Sequence, residues 1–159
     1  MSAARAPIRT VGSRRRPRAD DAGVAARRLP FRPMRLALAV AAGGALGSLL
    51  RWLVTQATVD ASLRFPWGTL GVNVAGSLLL GVLLGAAPTG AAPPSALRLG
   101  LAVGLCGGFT TFSTFAAETL ALLQRGAPAR ALAAAGAYVA ASVLLGVAAV
   151  GAGVWLGRA

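Results

Sequence analysis

The sequence predicts an all-α membrane protein of four transmembrane helices, and three observations carry that prediction. Of 159 residues, 56% are hydrophobic and 13% charged, where an average soluble domain carries about 25% charge. The charges that remain leave uncharged stretches at 36–50, 65–97, 99–117 and 131–157, and a spanning helix needs about 20 predominantly apolar residues. Prolines mark where a chain would turn: Pro66 at the start of the 65–97 stretch, Pro88 toward its end and Pro128 between the last two stretches.

The first span runs from 36 to 58 if Arg51 is tolerated inside it, by snorkelling or by facing a polar cavity. The second, 66–87, opens on Pro66 and Trp67, a proline suited to a first helical turn and an aromatic suited to a membrane interface. Pro88 to Ser95, with three prolines and a glycine, forms the loop to the third span, 98–123, which Gln124 to Arg130 closes. The fourth covers 131–156. Residues 34–159 are thus one four-span domain.

All sixteen basic residues are arginine, opposed only by Asp20, Asp21, Asp60 and Glu118, for a net charge of +12. Ten of the sixteen precede residue 36, so the excess belongs to a tail and not to a folded nucleic-acid-binding face. Basic segments beside spans act as topology signals and contact anionic lipid. Residues 1–33 show no apolar periodicity and read as a disordered basic tail. A cleaved signal peptide fits poorly, because "LALAVAAGGALGSLL" continues into a glycine-rich helix without a polar stop. Met34 stands immediately before the first span and is an alternative start to Met1.

The start decides the topology. From Met34 onward the terminal side carries Arg35, Arg98 and Arg158, and the opposite side Arg64, Arg125 and Arg130. Three against three sets no orientation, so both insertions and an antiparallel homodimer become accessible. With the tail, nine further arginines hold the N-terminus in the cytoplasm, and an antiparallel dimer then needs an oppositely oriented homologue.

Cys106 is the sole cysteine and histidine is absent, which leaves no internal disulfide and no usual zinc or copper site. No span holds a nucleophile paired with a base, so the chain is not read as an enzyme. The densest polar cluster in an apolar stretch is "GLCGGFTTFSTFAAE", Gly104 to Glu118. Glycines 104, 107 and 108 each weaken a helix by roughly 1 kcal/mol relative to alanine, and Thr110, Thr111, Ser113 and Thr114 follow. A broken helix whose freed carbonyls bind a cation is one reading; close helix packing with hydroxyls bonded back to their own helix is the other.

Phe112 and Phe115 share a helical face, and their positive ring edges suit a small anion as well as ordinary packing. Asn73 has an amide that donates to an anion or joins two helices, with Thr69 four residues earlier. Arg51 marks either a functional site or an end-of-helix anchor. Tyr138 and Ser142 form a polar i, i+4 stripe on the fourth span, and Glu118 is a vestibule charge or a solvated terminus.

The segments "GGALGSLLRW" (43–52), "WGTLGVNVAGSLLLG" (67–81) and "GLCGGFTTFSTFAAE" (104–118) resemble the three signatures of the CrcB/Fluc fluoride channels, over a region from about Met34 to Arg158. The resemblance implies an antiparallel, dual-topology dimer in the cell membrane with two fluoride pathways, a break in the third helix and a structural sodium ion at its centre. By motif position Gly107 and Thr110 would offer carbonyls to sodium. Phe112 and Phe115 would line the pore, Asn73 would face the ion path, and Arg51 would close the first signature. Ser113, Thr114, Tyr138 and Ser142 would extend the polar track, with Thr69 on the face of Asn73. Three features depart from the pattern: the arginine tail, Trp52 where tyrosine is frequent, and Gly146 where some members carry a hydroxyl.

Fluoride is small and strongly hydrated, so its path must replace water with several modest donors and still release the ion. A passive exit would serve a cell into which hydrogen fluoride diffuses. The main rival, a small four-span multidrug exporter, needs a membrane-embedded carboxylate, and the first span has none. A non-transporting membrane scaffold is the third reading, and it predicts no flux.

Overall fold

The computed structural model describes residues 31–60, 62, 65–87 and 95–159. Their regular structure is helical: α1 Phe31–Ala57, α2 Trp67–Gly85, α3 Ala96–Leu99, a π-helical stretch Gly100–Leu105, α4 Cys106–Phe109, α5 Phe112–Leu123 and α6 Pro128–Arg158. Four segments are long and apolar enough to cross a membrane: Pro33–Ala57, Trp67–Gly85, Ala96–Leu123 and Pro128–Arg158. The chain is a multi-pass membrane protein. The expected tail lies outside the described residues as far as Pro30, and residues 31–33 open α1. The expected loop at Pro88 to Ser95 lies outside them too, except for Ser95, whose Oγ accepts from the Arg98 N–H at 3.2 Å and caps α3.

Two helices start earlier than their first apolar residue suggests, α1 at Phe31 instead of Leu36 and α6 at Pro128 instead of Ala131. Each takes a proline into its first turn, where the N–H would lack a helical partner anyway and the fixed φ suits the helix. Gly126, at φ 70, makes the turn from α5 into α6.

Lipid gives helices no hydrophobic reason to associate, so close approach through small residues must do it. Along α2 and α6, Gly81 and Gly85 face Gly153 and Gly157. A Cβ on any of the four would strike a main-chain carbonyl of the opposite helix, at Val150, Val154, Leu78 and Val82 respectively. The first and third spans meet in the same way: a Cβ on Gly43, Gly47, Gly104 or Gly108 would collide with the carbonyl of Gly100, Leu105, Val40 or Gly44. Gly104 and Gly108 therefore serve helix packing, whereas Gly107 has no neighbour within 4 Å of such a Cβ.

The buried cluster of Leu70, Leu122, Ala135 and Tyr138, with Phe65 and Phe115 against it, sits between α2, α5 and α6. Outside it the helices present large apolar side chains: Leu144 is 68% exposed, Val147 69% and Trp155 72%. An apolar surface of that extent is an interaction face for hydrocarbon or another protein.

Candidate functional site

The site grows from two residues that leave the helix. Between α4 and α5, Thr110 (φ −83, ψ 158) and Thr111 (φ −150, ψ 120) are extended. The Thr110 N–H still reaches the Cys106 carbonyl at 3.0 Å, but the chain then leaves the i to i−4 ladder, so the backbone groups of Thr111 need other partners inside a span. Asn73 supplies them to Thr111. Its Oδ1 accepts from the Thr111 N–H at 2.8 Å, and its Nδ2 donates to the Thr111 carbonyl at 3.2 Å. A side-chain amide thus pairs with an extended residue as a neighbouring strand would. Thr111 Oγ1 then caps α5 by accepting from the Thr114 N–H at 3.2 Å, and it bonds Thr114 Oγ1 at 3.0 Å.

The carbonyls just before this point lose their usual donors. In a continuous helix Thr111 N–H would bond Gly107 and Thr114 N–H would bond Thr110; here those donors go to Asn73 and to the Thr111 hydroxyl. The Gly108 carbonyl is taken by Arg51, whose Nε donates to it at 3.0 Å. The Thr110 hydroxyl returns to its own helix, donating to the Cys106 carbonyl at 2.9 Å. Gly107, Phe109 and Thr110 are thus left with carbonyls that lack helical donors, and oxygens of that kind could serve a hard cation.

Beside this segment lies a cavity of about 490 Å³ lined by residues that include Asn73, Ser77, Gly107, Thr111, Phe112, Phe115 and Ser142, with no charged side chain among them. The Ser142 Oγ is buried there with no partner among the described residues. The Asn73 amide carries two N–H groups, one of which holds Thr111. Phe112 is 80% exposed, and its ring lies 5.8 Å from that of Phe115 at 45°.

Behind Phe115 is a second polar group. Phe115 packs on Tyr138 at 5.1 Å between ring centroids, and Tyr138, fully buried, donates its hydroxyl to Glu118 Oε2 at 2.7 Å. Thr69, 1% exposed, donates to Glu118 Oε1 at 2.8 Å. Both carboxylate oxygens are engaged by other spans, and Glu118 sits half-buried midway along α5, so it is no solvated terminus.

The residues singled out in the sequence therefore separate into groups. Asn73, Phe112, Phe115, Ser142, Gly107 and Thr110 border one cavity. Thr69 and Tyr138 meet at Glu118, on the far side of Phe115. Ser113 and Thr114 gather on Thr111 Oγ1, outside the cavity lining, and Arg51 reaches Gly108. Sequence reasoning placed Thr111 in the hydroxyl cluster without a role of its own and left Glu118 between a vestibule charge and a solvated terminus. A hydroxyl three residues before another, at the start of an apolar helix, was the available signal for the Thr111 cap.

A sequence profile described as CrcB-like protein, Camphor Resistance (CrcB), matches residues 38–154. The chain belongs to the CrcB family. Among CrcB relatives, a protein of Nitrobacter winogradskyi named fluoride-specific ion channel FluC is 48% identical over 122 residues, covering 76% of this chain and 94% of the relative. One of Agrobacterium fabrum with the same name is 43% identical over 120 residues, 75% and 93% of the two chains. A protein of Streptomyces avermitilis named fluoride-specific ion channel FluC 1 is 48% identical over 125 residues, 77% and 95%.

Proposed function

We infer that this CrcB-family chain is a fluoride-selective channel giving passive exit of fluoride across the cell membrane, as the names of its relatives suggest for them. The observation that carries the reading is the character of the cavity. It offers an amide at Asn73, an unpartnered hydroxyl at Ser142 and the rings of Phe112 and Phe115, without a charged group. A formal positive charge at this point would deepen the binding of a small anion and slow its release, whereas several neutral donors replace water one at a time. Thr69 and Tyr138, beyond Phe115, would continue that path toward Glu118. Ser113 and Thr114 would take part by fixing the Thr111 cap.

The reading includes an antiparallel dimer, either of two copies inserted in opposite senses or of this chain with an oppositely oriented homologue. Phe112 at 80% exposure and the open face at Gly107 support a second chain over this surface. It also includes a structural, non-transported sodium ion at the dimer centre. The helix would break at Thr110 and Thr111 so that Gly107 and Thr110 of both chains hold that ion, a role supported by the loss of their ordinary donors. Bound there, sodium would tie the two chains together; it takes no part in conduction.

A multidrug exporter that trades protons for a cationic drug needs a carboxylate open to its path. Glu118 is bonded at both oxygens and does not line the cavity. The test is fluoride release from potassium-fluoride-loaded liposomes holding the purified protein, followed with a fluoride electrode after a potassium ionophore is added. Protein-dependent release supports the channel. Release no faster than from empty liposomes leaves the scaffold reading.

A further inference from the structure

We propose that Arg51 is a positioning residue that decides which carbonyls of the third span are left for the central cation, by withdrawing that of Gly108. The proposal rests on the cation reading above and adds to it a device for setting the number of ligands.

The extended pair at Thr110 and Thr111 deprives several consecutive carbonyls of their helical donors, because the N–H groups of a new helix's first turn do not reach back across the interruption. Thr111 N–H is held by Asn73 and Thr114 N–H by the Thr111 hydroxyl, which frees Gly107 and Thr110. Phe112 opens α5, so its N–H does not serve Gly108. Ser113 follows in that same first turn, so Phe109 loses its donor as well, and four successive carbonyls, Gly107 to Thr110, are released from the ladder. Discrimination between hard cations depends on how many oxygens surround them and on how rigidly these are held, so an added Gly108 carbonyl would alter the site.

Arg51 removes it. The residue lies on α1 seven positions after Gly44, hence on the same side of the helix, and Gly44 is the residue against which Gly108 packs. Its Nε donates to the Gly108 carbonyl at 3.0 Å in a partly buried setting. Gly107, the adjacent residue, lines the cavity instead. Arginine suits the task because its guanidinium stays charged and presents donors in a fixed planar array. Neighbouring glycines thereby acquire different duties, one carbonyl neutralised by α1 and the other left open.

The sequence itself supplies the probe. It contains a single Thr-Thr pair, Thr110–Thr111, and a single Gly-Phe pair, Gly108–Phe109, so carbonyl-carbon and amide-nitrogen labelling of those residue types isolates the Thr110 and Gly108 carbonyls in solid-state NMR. The full-length protein in lipid is compared in sodium and in N-methylglucamine. We expect the Thr110 carbonyl signal to move and the Gly108 signal to stay. In Arg51→Gln the Gly108 signal should become sodium-sensitive, with the sodium concentration at half-change shifted at least threefold. A native Gly108 carbonyl that moves with sodium as far as that of Thr110 would overturn the proposal, as would an Arg51→Gln protein whose two signals titrate as the native ones do. Should Arg51→Gln fail to fold, the native comparison decides alone. If neither native carbonyl responds to sodium, the cation reading itself falls, an outcome distinct from the failure of Arg51 to select between carbonyls.

Discussion

Replacing Asn73 by alanine removes both partners of the Thr111 backbone, and the cost follows from the two bonds at 2.8 and 3.2 Å. An unsatisfied buried donor or acceptor costs about 1–3 kcal/mol, which sets an upper range of about 2–6 kcal/mol for the pair. Hydrogen bonds between membrane helices contribute less, about 0.6 kcal/mol on average and up to about 1.7, because the unfolded chain in lipid also finds partners. The cavity beside Asn73 gives water a way to the freed groups, so the lower range governs. We expect a loss of about 1–3 kcal/mol, a shift of roughly 5- to 150-fold in the unfolding equilibrium. Reversible unfolding in mixed micelles measures it, and amide exchange at Thr111 should accelerate by a similar factor. An Asn73→Ala protein within about 0.3 kcal/mol of native, with Thr111 exchange unchanged, would refute the view that the amide sustains the extended pair.

Three other substitutions separate packing from conduction. Phe112→Ile should leave protomer stability within about 0.5 kcal/mol, as for an exposed position, while fluoride flux falls; normal flux from both Phe112→Ile and Phe115→Ile would make the rings packing residues only. Tyr138→Phe strips one hydroxyl from the half-buried Glu118 and leaves a carboxylate oxygen without that donor, for an expected loss of about 1–3 kcal/mol in the same micelle titration. Gly81→Leu drives a side chain into the Val150 carbonyl and should destabilise by about 1–3 kcal/mol or more, whereas Gly71→Ala, with nothing within 4 Å of its Cβ, should be silent.

The spans were legible because charge placement in a membrane protein is nearly binary: Arg98, Arg125, Arg130 and Arg158 can stand only at ends, and the helices stop near them. Helix starts were less legible, since Pro33 and Pro128 look like breakers and act as first-turn residues. Asn73 stood out as a lone amide in an apolar span. Its partner did not, because Thr111 lies 38 positions away and only the fold brings them together. Glu118 was left between two readings for the same reason, its donors Thr69 and Tyr138 coming from two other spans. The facing pairs Gly81, Gly85 and Gly153, Gly157 carried a readable four-residue spacing whose significance is packing alone. For Gly104, Gly107 and Gly108, composition could not tell packing from ligation. Neighbouring helices divide them, with two pressed against α1 and one open to the cavity.

The central claim is that an uncharged, donor-lined cavity passes fluoride and little else. Its most direct test is the ratio of fluoride to chloride efflux from liposomes holding the purified protein under equal gradients. The account predicts fluoride release at a rate at least a hundredfold above chloride, roughly the factor that about 3 kcal/mol of differential stabilisation gives. Equal rates for the two anions, or release of neither, would contradict it.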